Sequence, residues 1–255
     1  MVYQGSKARL LKYIKPYIQK CIDSNTVKTY IEPFVGGANV IPYIDCEHKL
    51  GSDINGELIS LLRYMKENPE LSVFPKECSF EHYADVRKQR RQGKGTYMPF
   101  YTAGIGYFAS YGGRYFDGGY GRDSKGGQSI YTERLNNARK QAKNLKGIVF
   151  TECSFEDYFV MNCFIYCDPP YFGTKTYDSK QFDYALFYNW LRKISQNNYV
   201  LVSEYSMPSD FECIWSKERS VLQKSDRTKG DKATECLFTL RNGMYDKWYK
   251  EIMKK

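Results

Sequence analysis

Phe164-Ile165-Tyr166-Cys167-Asp168-Pro169-Pro170-Tyr171 decides how the rest of the chain is read. An apolar run bounded by prolines predicts a short buried strand that stops where the prolines begin, because proline donates nothing to a ladder and fixes its own backbone. A carboxylate is left at the carboxyl end of that strand. In open α/β sheets ligands bind in the crevice outside those ends, so Asp168 and Tyr171 are expected to face a ligand. An exocyclic amino group on a nucleobase is a poor nucleophile, since its lone pair is delocalised into the ring. Two acceptors binding its two hydrogens localise that pair, and the Asp168 carboxylate and Pro169 carbonyl are candidates. Pro170 has no N–H to compete for that carbonyl, and Tyr171 offers a face on which a flat base can stack, worth roughly 1–3 kcal/mol. A plain turn after a strand is the alternative, because D-P and P-P dipeptides mark turns generally.

Working outward, Gly147 to Glu152 reads as a strand entering the turn Cys153-Ser154-Phe155, just before the central stretch. Downstream, Phe182 to Ile194 reads as a helix, Asn198 to Tyr205 as a buried strand, and Glu235 to Gly243 as a late strand and turn. Upstream, Thr29-Tyr30-Ile31-Glu32-Pro33-Phe34-Val35-Gly36-Gly37-Ala38 runs from a strand into glycines and on toward a helical stretch. The bare backbone at Gly36 and Gly37 lets a nucleotide-like ligand come close. A second strand ends in Asp53-Ile54-Asn55, followed by a helical run through Leu58, Ile59, Leu61, Leu62 and Met65. An acid ~20 residues after a glycine turn is where ribose hydroxyls are gripped in dinucleotide folds. At the start, Tyr3-Gln4-Gly5-Ser6-Lys7 precedes an amphipathic helix carrying Leu10, Leu11, Ile14, Ile18 and Ile22, with Ser6 as candidate cap. The βαβ rhythm assigns the chain to the α/β class.

Between about residues 74 and 147 the character changes. Residues 85–147 hold thirteen Lys/Arg against four Asp/Glu, an excess of nine equal to the +9 of the whole 255-residue chain. Arg87, Arg90 and Arg91 fit phosphate contacts, which carry affinity but no sequence information. Residues 101–121, with seven glycines and seven Tyr/Phe, predict a pliant loop carrying stacking faces, in which Tyr111, Arg114, Tyr115 and nearby Arg122 are candidate nucleic-acid contacts. A solvated helix face with a glycine loop is the competing reading. Tyr131 to Leu145 then reads as a helix returning to the core.

A hydrophobic content of 42% allows a real core, and no apolar stretch approaches the ~20 residues of a membrane span. Met1 to Gly5 lacks the apolar core of a signal peptide, so a cytoplasmic protein is expected. Eight cysteines without any C-x-x-C and two histidines suggest neither a disulfide framework nor a metal site. The excess positive charge favours a polyanionic partner.

In order along the chain, Y-x-G-x-K at 3–7, E-P-F-V-G-G-A at 32–38, D-I-N at 53–55, a basic insertion and D-P-P-Y at 168–171 resemble the Dam-type (D12 class) DNA adenine-N6 methyltransferases of bacteria and phages. The resemblance spans almost the whole chain. It implies a Rossmann-like, S-adenosylmethionine-dependent methyltransferase fold with a mostly parallel seven-stranded sheet. The catalytic domain would comprise residues 1–73 and 148–255, and residues 74–147 an inserted target-recognition domain. It further implies that Tyr3, Lys7, Glu32, Phe34, Gly36, Gly37, Asp53, Ile54, Ser154, Phe155 and Asp168 border the cofactor. Asp168, Pro169, Pro170 and Tyr171 would be the catalytic tetrad acting on a flipped adenine in double-stranded DNA, with no metal. Ala38, where family members often have a second glycine, is the departure. A monomer is expected. A DNA-binding module without activity, and an amino-methyltransferase acting on RNA adenine or protein glutamine, are the other readings.

Overall fold

The computed structural model describes residues 1–122, 130–172, 182–221 and 231–253. Residues 123–129 of the expected insertion lie outside that description. Seven strands form a sheet in the order β3-β2-β1-β4-β5-β7-β6: β1 Thr29–Glu32, β2 His48–Asp53, β3 Ile148–Glu152, β4 Phe164–Cys167, β5 Tyr199–Glu204, β6 Phe211–Val221 and β7 Asp231–Leu240. The pairs β2/β3, β1/β4 and β4/β5 are parallel, and β7 runs antiparallel to both β5 and β6. Every residue of β4 and β5 is buried, as continuous apolar strands of a parallel sheet must be. The α/β class read from the βαβ rhythm and the mostly parallel seven-stranded sheet implied by the resemblance are those observed.

Two compact units divide the chain. One comprises Met1–Lys12, Val35–Ile44 and Lys49–Cys153; the other comprises Tyr13–Phe34, Asp45–His48 and Ser154–Lys255. In the first, helix α2 (Gly56–Glu67) starts at Asn55, whose side chain accepts from the Leu58 N–H and caps an otherwise orphaned donor. Helices α3 (Phe80–Arg91), α4 (Pro99–Ala109) and α5 (Tyr131–Ala142) join it, with α4 packed on α2, α3 and α5.

Helix α4 overturns the expectation of a glycine-rich loop over residues 101–109. Pro99 supplies a preset first turn, and every residue from Thr102 to Ala109 is buried. Its glycines serve close approach: a Cβ on Gly104 would lie 2.2 Å from the Phe74 ring, and one on Gly106 2.5 Å from the Tyr115 ring. The aromatics are largely consumed in packing, with Tyr64 and Phe100 stacked at 4.0 Å and Phe74 and Tyr101 at 5.2 Å. Arg134 of α5, itself buried, donates to the carbonyls of Tyr107 and Ser110. A cation of this basic region thus closes the carboxyl end of α4, where the helix dipole favours positive charge.

In the second unit, α1 (Leu11–Asn25) buries Ile14, Ile18, Cys21 and Ile22 on one face. Ser6 is not its cap: the hydroxyl accepts from the Ala8 N–H, ahead of the first turn of the helix. Helix α6 (Tyr184–Ile194) buries Phe187, Trp190, Leu191 and Ile194 and is capped by Asp183, which accepts from the Leu186 N–H at 2.9 Å. The chain ends in α7 (Met244–Ile252). The helical stretch expected after the glycines is a single 3-10 turn, Ile41–Tyr43, with Pro42 in its first turn.

Candidate active site

Within the first unit, three motifs far apart in sequence converge. The Val35 N–H donates to the Ser52 carbonyl at 2.8 Å, tying the glycine turn to the end of β2. Asp53 completes the tie: its Oδ2 accepts from the Gly36 N–H at 3.2 Å and its Oδ1 from the Asn55 N–H at 3.0 Å. Tyr3 lies over the turn, where a Cβ on Gly36 would come within 2.8 Å of its ring and one on Gly37 within 2.7 Å of its Cβ. Gly36 has φ +47°, which glycine adopts without strain, and the Tyr3 ring leaves no space for a side chain. Lys7 is buried, and its Nζ donates to the Gly5 carbonyl at 3.1 Å. Ile54, beside the acid, is 66% exposed, an apolar side chain available to a flat ligand. These groups suit a nucleoside-bearing cofactor: a tight backbone turn for close approach, a carboxylate for vicinal hydroxyls and an apolar side chain beside it.

Tyr107 belongs to this cluster although no motif marks it. Its ring, from α4, meets that of Tyr3 at 5.6 Å, and Asn55 Nδ2 lies 3.5 Å from its hydroxyl. Ala38 is fully buried with φ +50°. Non-glycine residues held in that region cost on the order of 1–3 kcal/mol, so the surrounding structure must over-determine this one.

Burial pushes the Asp53 carboxyl up from 3.8 to about 6, against the lowering effect of the three backbone N–H groups of Asn55, Gly36 and Ile54. A carboxyl whose folded pKa is raised holds a proton that the unfolded chain has already lost, so Asp53 makes stability fall as pH rises from about 4 to 6. At about 1.4 kcal/mol per tenfold change in proton affinity this amounts to at most roughly 3 kcal/mol, since the half-buried group keeps some hydration. Urea unfolding of the parent and of Asp53→Asn at pH 4 and pH 7 is expected to show the parent losing ground against the variant as pH rises. A constant difference between the two proteins would remove this assignment.

Within the second unit, β4 delivers Asp168 half-buried at its carboxyl end, followed by buried Pro169 and exposed Pro170. The Tyr184 hydroxyl of α6 donates to the Pro170 carbonyl at 2.9 Å, fixing the turn. Tyr171 is 9% exposed; its hydroxyl donates to Glu235 of β7, and its ring stands edge-on to Tyr205 at 4.6 Å. Stacking of a base on Tyr171 therefore requires its neighbours to move, whereas the adjacent Phe172 ring is 63% exposed. Burial, and then the nearby charges of Asp168 and Glu235, raise the Tyr171 phenol well above its ordinary value. Glu204, buried at the end of β5, accepts from the Phe172 N–H at 3.2 Å and the Tyr205 N–H at 2.8 Å. Glu204 and Glu235 are the residues here that motif reading misses. Each acts through a bond to a part of the chain distant in sequence.

Glu32 is buried and accepts from the Tyr30 hydroxyl at 2.7 Å. Phe34 and Phe155 stack on each other at 5.6 Å, and both pack against Phe187. Ser154 caps the short turn Phe155–Asp157, with Asp157 accepting from the Ser154 N–H in return.

Among the proposed nucleic-acid contacts, Arg90 Nε donates to Glu57 at 2.8 Å and its guanidinium lies over the Tyr115 ring at 4.8 Å. The Tyr115 hydroxyl donates to the same carboxylate. Arg87 is half-buried, whereas Arg91, Tyr111, Arg114 and Arg122 are exposed. No helix among the described residues is long and apolar enough to cross a membrane, and no cluster of potential metal ligands occurs among them.

Comparison with known proteins gives this arrangement a context. Residues 3–225 match the model of the D12 class N6 adenine-specific DNA methyltransferases. A type II methyltransferase of Methanocaldococcus jannaschii, M.MjaIII, is 25% identical over 280 aligned positions, covering 93% of this chain and 96% of that protein. The type II methyltransferase M1.LlaDCHI of Lactococcus lactis subsp. cremoris is 33% identical over 97 positions, 36% of this chain and 32% of its own length. A DNA adenine methylase of Vibrio cholerae is 26% identical over 186 positions, 66% of this chain and 63% of that protein. With Y-x-G-x-K against the glycine turn, an acid at the end of β2 and D-P-P-Y at the end of β4, the chain belongs to the D12 class N6 adenine-specific DNA methyltransferase family.

Proposed function

We propose that the protein methylates N6 of an adenine extruded from a specific site in duplex DNA, with S-adenosylmethionine as donor. The observation that carries this reading is the placement of Asp168-Pro169-Pro170-Tyr171 at the carboxyl end of a fully buried central strand, in a chain that matches this family over most of its length. Tyr3, Lys7, Gly36, Gly37, Asp53 and Ile54 would hold the cofactor, with Glu32, Phe34, Ser154 and Phe155 bordering it. When bound, S-adenosylmethionine supplies a methyl group already activated by the sulfonium, so no nucleophile of the protein is needed. The work left to the chain is to orient the amino group. Asp168 accepts one N6 hydrogen and the Pro169 carbonyl the other, which returns the nitrogen lone pair from the ring and aims it. Extrusion of the base costs a few kcal/mol, offset by these bonds and by aromatic contact.

Incubation with unmethylated genomic DNA and S-adenosylmethionine, followed by single-molecule sequencing, should reveal N6-methyladenine at one short sequence. Methyl label appearing in RNA or protein and not in DNA overturns the reading.

Residues 74–147 would supply target recognition and most of the DNA affinity, because the chain's excess charge lies there. Since Arg90 is committed to Glu57, the exposed Arg91, Arg114 and Arg122 are the better phosphate contacts. Changing these three to glutamine is expected to weaken DNA binding at all sequences alike and to reduce the slope of log affinity against log salt by about 0.9 for each phosphate no longer neutralised. An unchanged slope in fluorescence anisotropy titrations would make them part of a solvated face only.

A further inference from the structure

The side chain of Gln141 reaches from α5, in the segment proposed for target recognition, to the glycine turn proposed for the cofactor. Its Nε2 donates to the Gly37 carbonyl at 2.8 Å and to the Ala38 carbonyl at 2.7 Å. Gln141 is 7% exposed, and its Oε1 has no partner among the described residues. The two amide protons are therefore the polar contacts this side chain makes, and they fix which end of the amide faces the turn. One of the carbonyls they hold belongs to Ala38, which at φ +50° occupies a left-handed conformation natural to glycine. Its own N–H donates back to the Val35 carbonyl at 2.8 Å, so the turn is pinned from within by that bond and from outside by Gln141.

We infer that Gln141 is a positioning residue for cofactor binding, holding the Gly37-Ala38 backbone in the shape that receives S-adenosylmethionine where position 38 is not glycine. The inference rests on the cofactor reading above. Without the strut, two buried carbonyls lose their donors and Ala38 is free to relax out of the left-handed region, taking with it the backbone that S-adenosylmethionine approaches. Glycine at position 38 adopts φ +50° without strain, so it should make the strut dispensable.

Isothermal titration with S-adenosylmethionine on four proteins tests this: the parent, Gln141→Met, Ala38→Gly and the double variant, each checked for folding by circular dichroism and thermal melting. Gln141→Met, of similar shape but without donors, is expected to raise Kd at least about tenfold. The loss caused by Gln141→Met should be much smaller in the Ala38→Gly background than in the parent, a non-additive cycle. Should Gln141→Met fail to fold, Gln141→Asn, one methylene shorter and unable to span both carbonyls, is expected to show the same weakening and the same dependence on position 38. A lowered melting temperature with unchanged Kd, or a loss of affinity that Ala38→Gly does not repair, overturns the inference. A parent that binds no S-adenosylmethionine overturns instead the cofactor reading beneath it.

Discussion

Asp168→Ala is expected to reduce single-turnover methyl transfer by roughly 10²–10³-fold, the scale seen when one preorganised polar partner of a reacting group is removed. The residue stands half-buried at the end of β4, held by a strand whose four residues are all buried, so its carboxylate is placed by the core and not by a mobile loop. As the N6 nitrogen pyramidalises on attack, its hydrogens become more acidic. An acceptor there is worth most at the transition state, and its loss falls on the rate more than on binding. The comparison is made at saturating S-adenosylmethionine, so that any change in cofactor affinity does not enter the rate. Tyr171→Ala is expected to be milder, losing aromatic contact of roughly 1–3 kcal/mol together with the hydroxyl that donates to Glu235. Near-parent transfer by Asp168→Ala would place the catalytic centre elsewhere in the chain.

The second large effect is expected at Asp53. Asp53→Ala should weaken S-adenosylmethionine binding by roughly 1.5–3 kcal/mol, about 10- to 150-fold, through loss of charged hydrogen bonds to the ribose. It also removes the acceptor of the Gly36 N–H, so the turn loosens along with the ribose contact. The pH dependence carries its own sign. In the proposed site ribose hydroxyls would donate to the ionised carboxylate, and the free protein holds this group near pKa 6, so affinity should decline as pH falls through about 6. Titration calorimetry at pH 5 and pH 8 checks both statements. Equal affinity of parent and variant at pH 8 removes Asp53 from the site, and a pH dependence that persists in the variant assigns the titration to another group.

Much of the fold is legible in the sequence because its signals are local. The apolar runs at β4 and β5 are short and β-rich, and the prolines after β4 end that run, which favours buried strands; the glycine turn between β1 and β2 follows from a strand running into Gly36 and Gly37. Strand β6 leaves no such signal, because Lys217, Glu218 and Arg219 lie within an edge strand, where charge is tolerated and apolar periodicity fades. Helix α4 defeats composition for a different reason. Glycine beside aromatic residues is the composition of a pliant loop and equally of a helix onto which rings pack closely, and the neighbours decide which. Gln141, Glu204, Glu235 and Tyr107, each bonded to or packed on a motif-bearing segment of its own unit, carry no motif. Their meaning lies in partners tens of residues away, which spacing along the chain does not encode.

The pairing of β1 with β4, Tyr30 opposite Phe164, also governs how the molecule comes into being. Strand β1 leaves the ribosome early, yet its partner follows only after β2, β3 and the intervening helices have been made. At ~5–20 residues per second that is a wait of roughly 7–27 s, during which an apolar strand edge stays unsatisfied. Helices α2 to α5, whose contacts with one another are closer in sequence, are expected to form first. Nascent chains stalled before residue 164 should therefore bind chaperones and resist protease in the α2–α5 region alone, with protection of β1 arriving only once β4 has emerged.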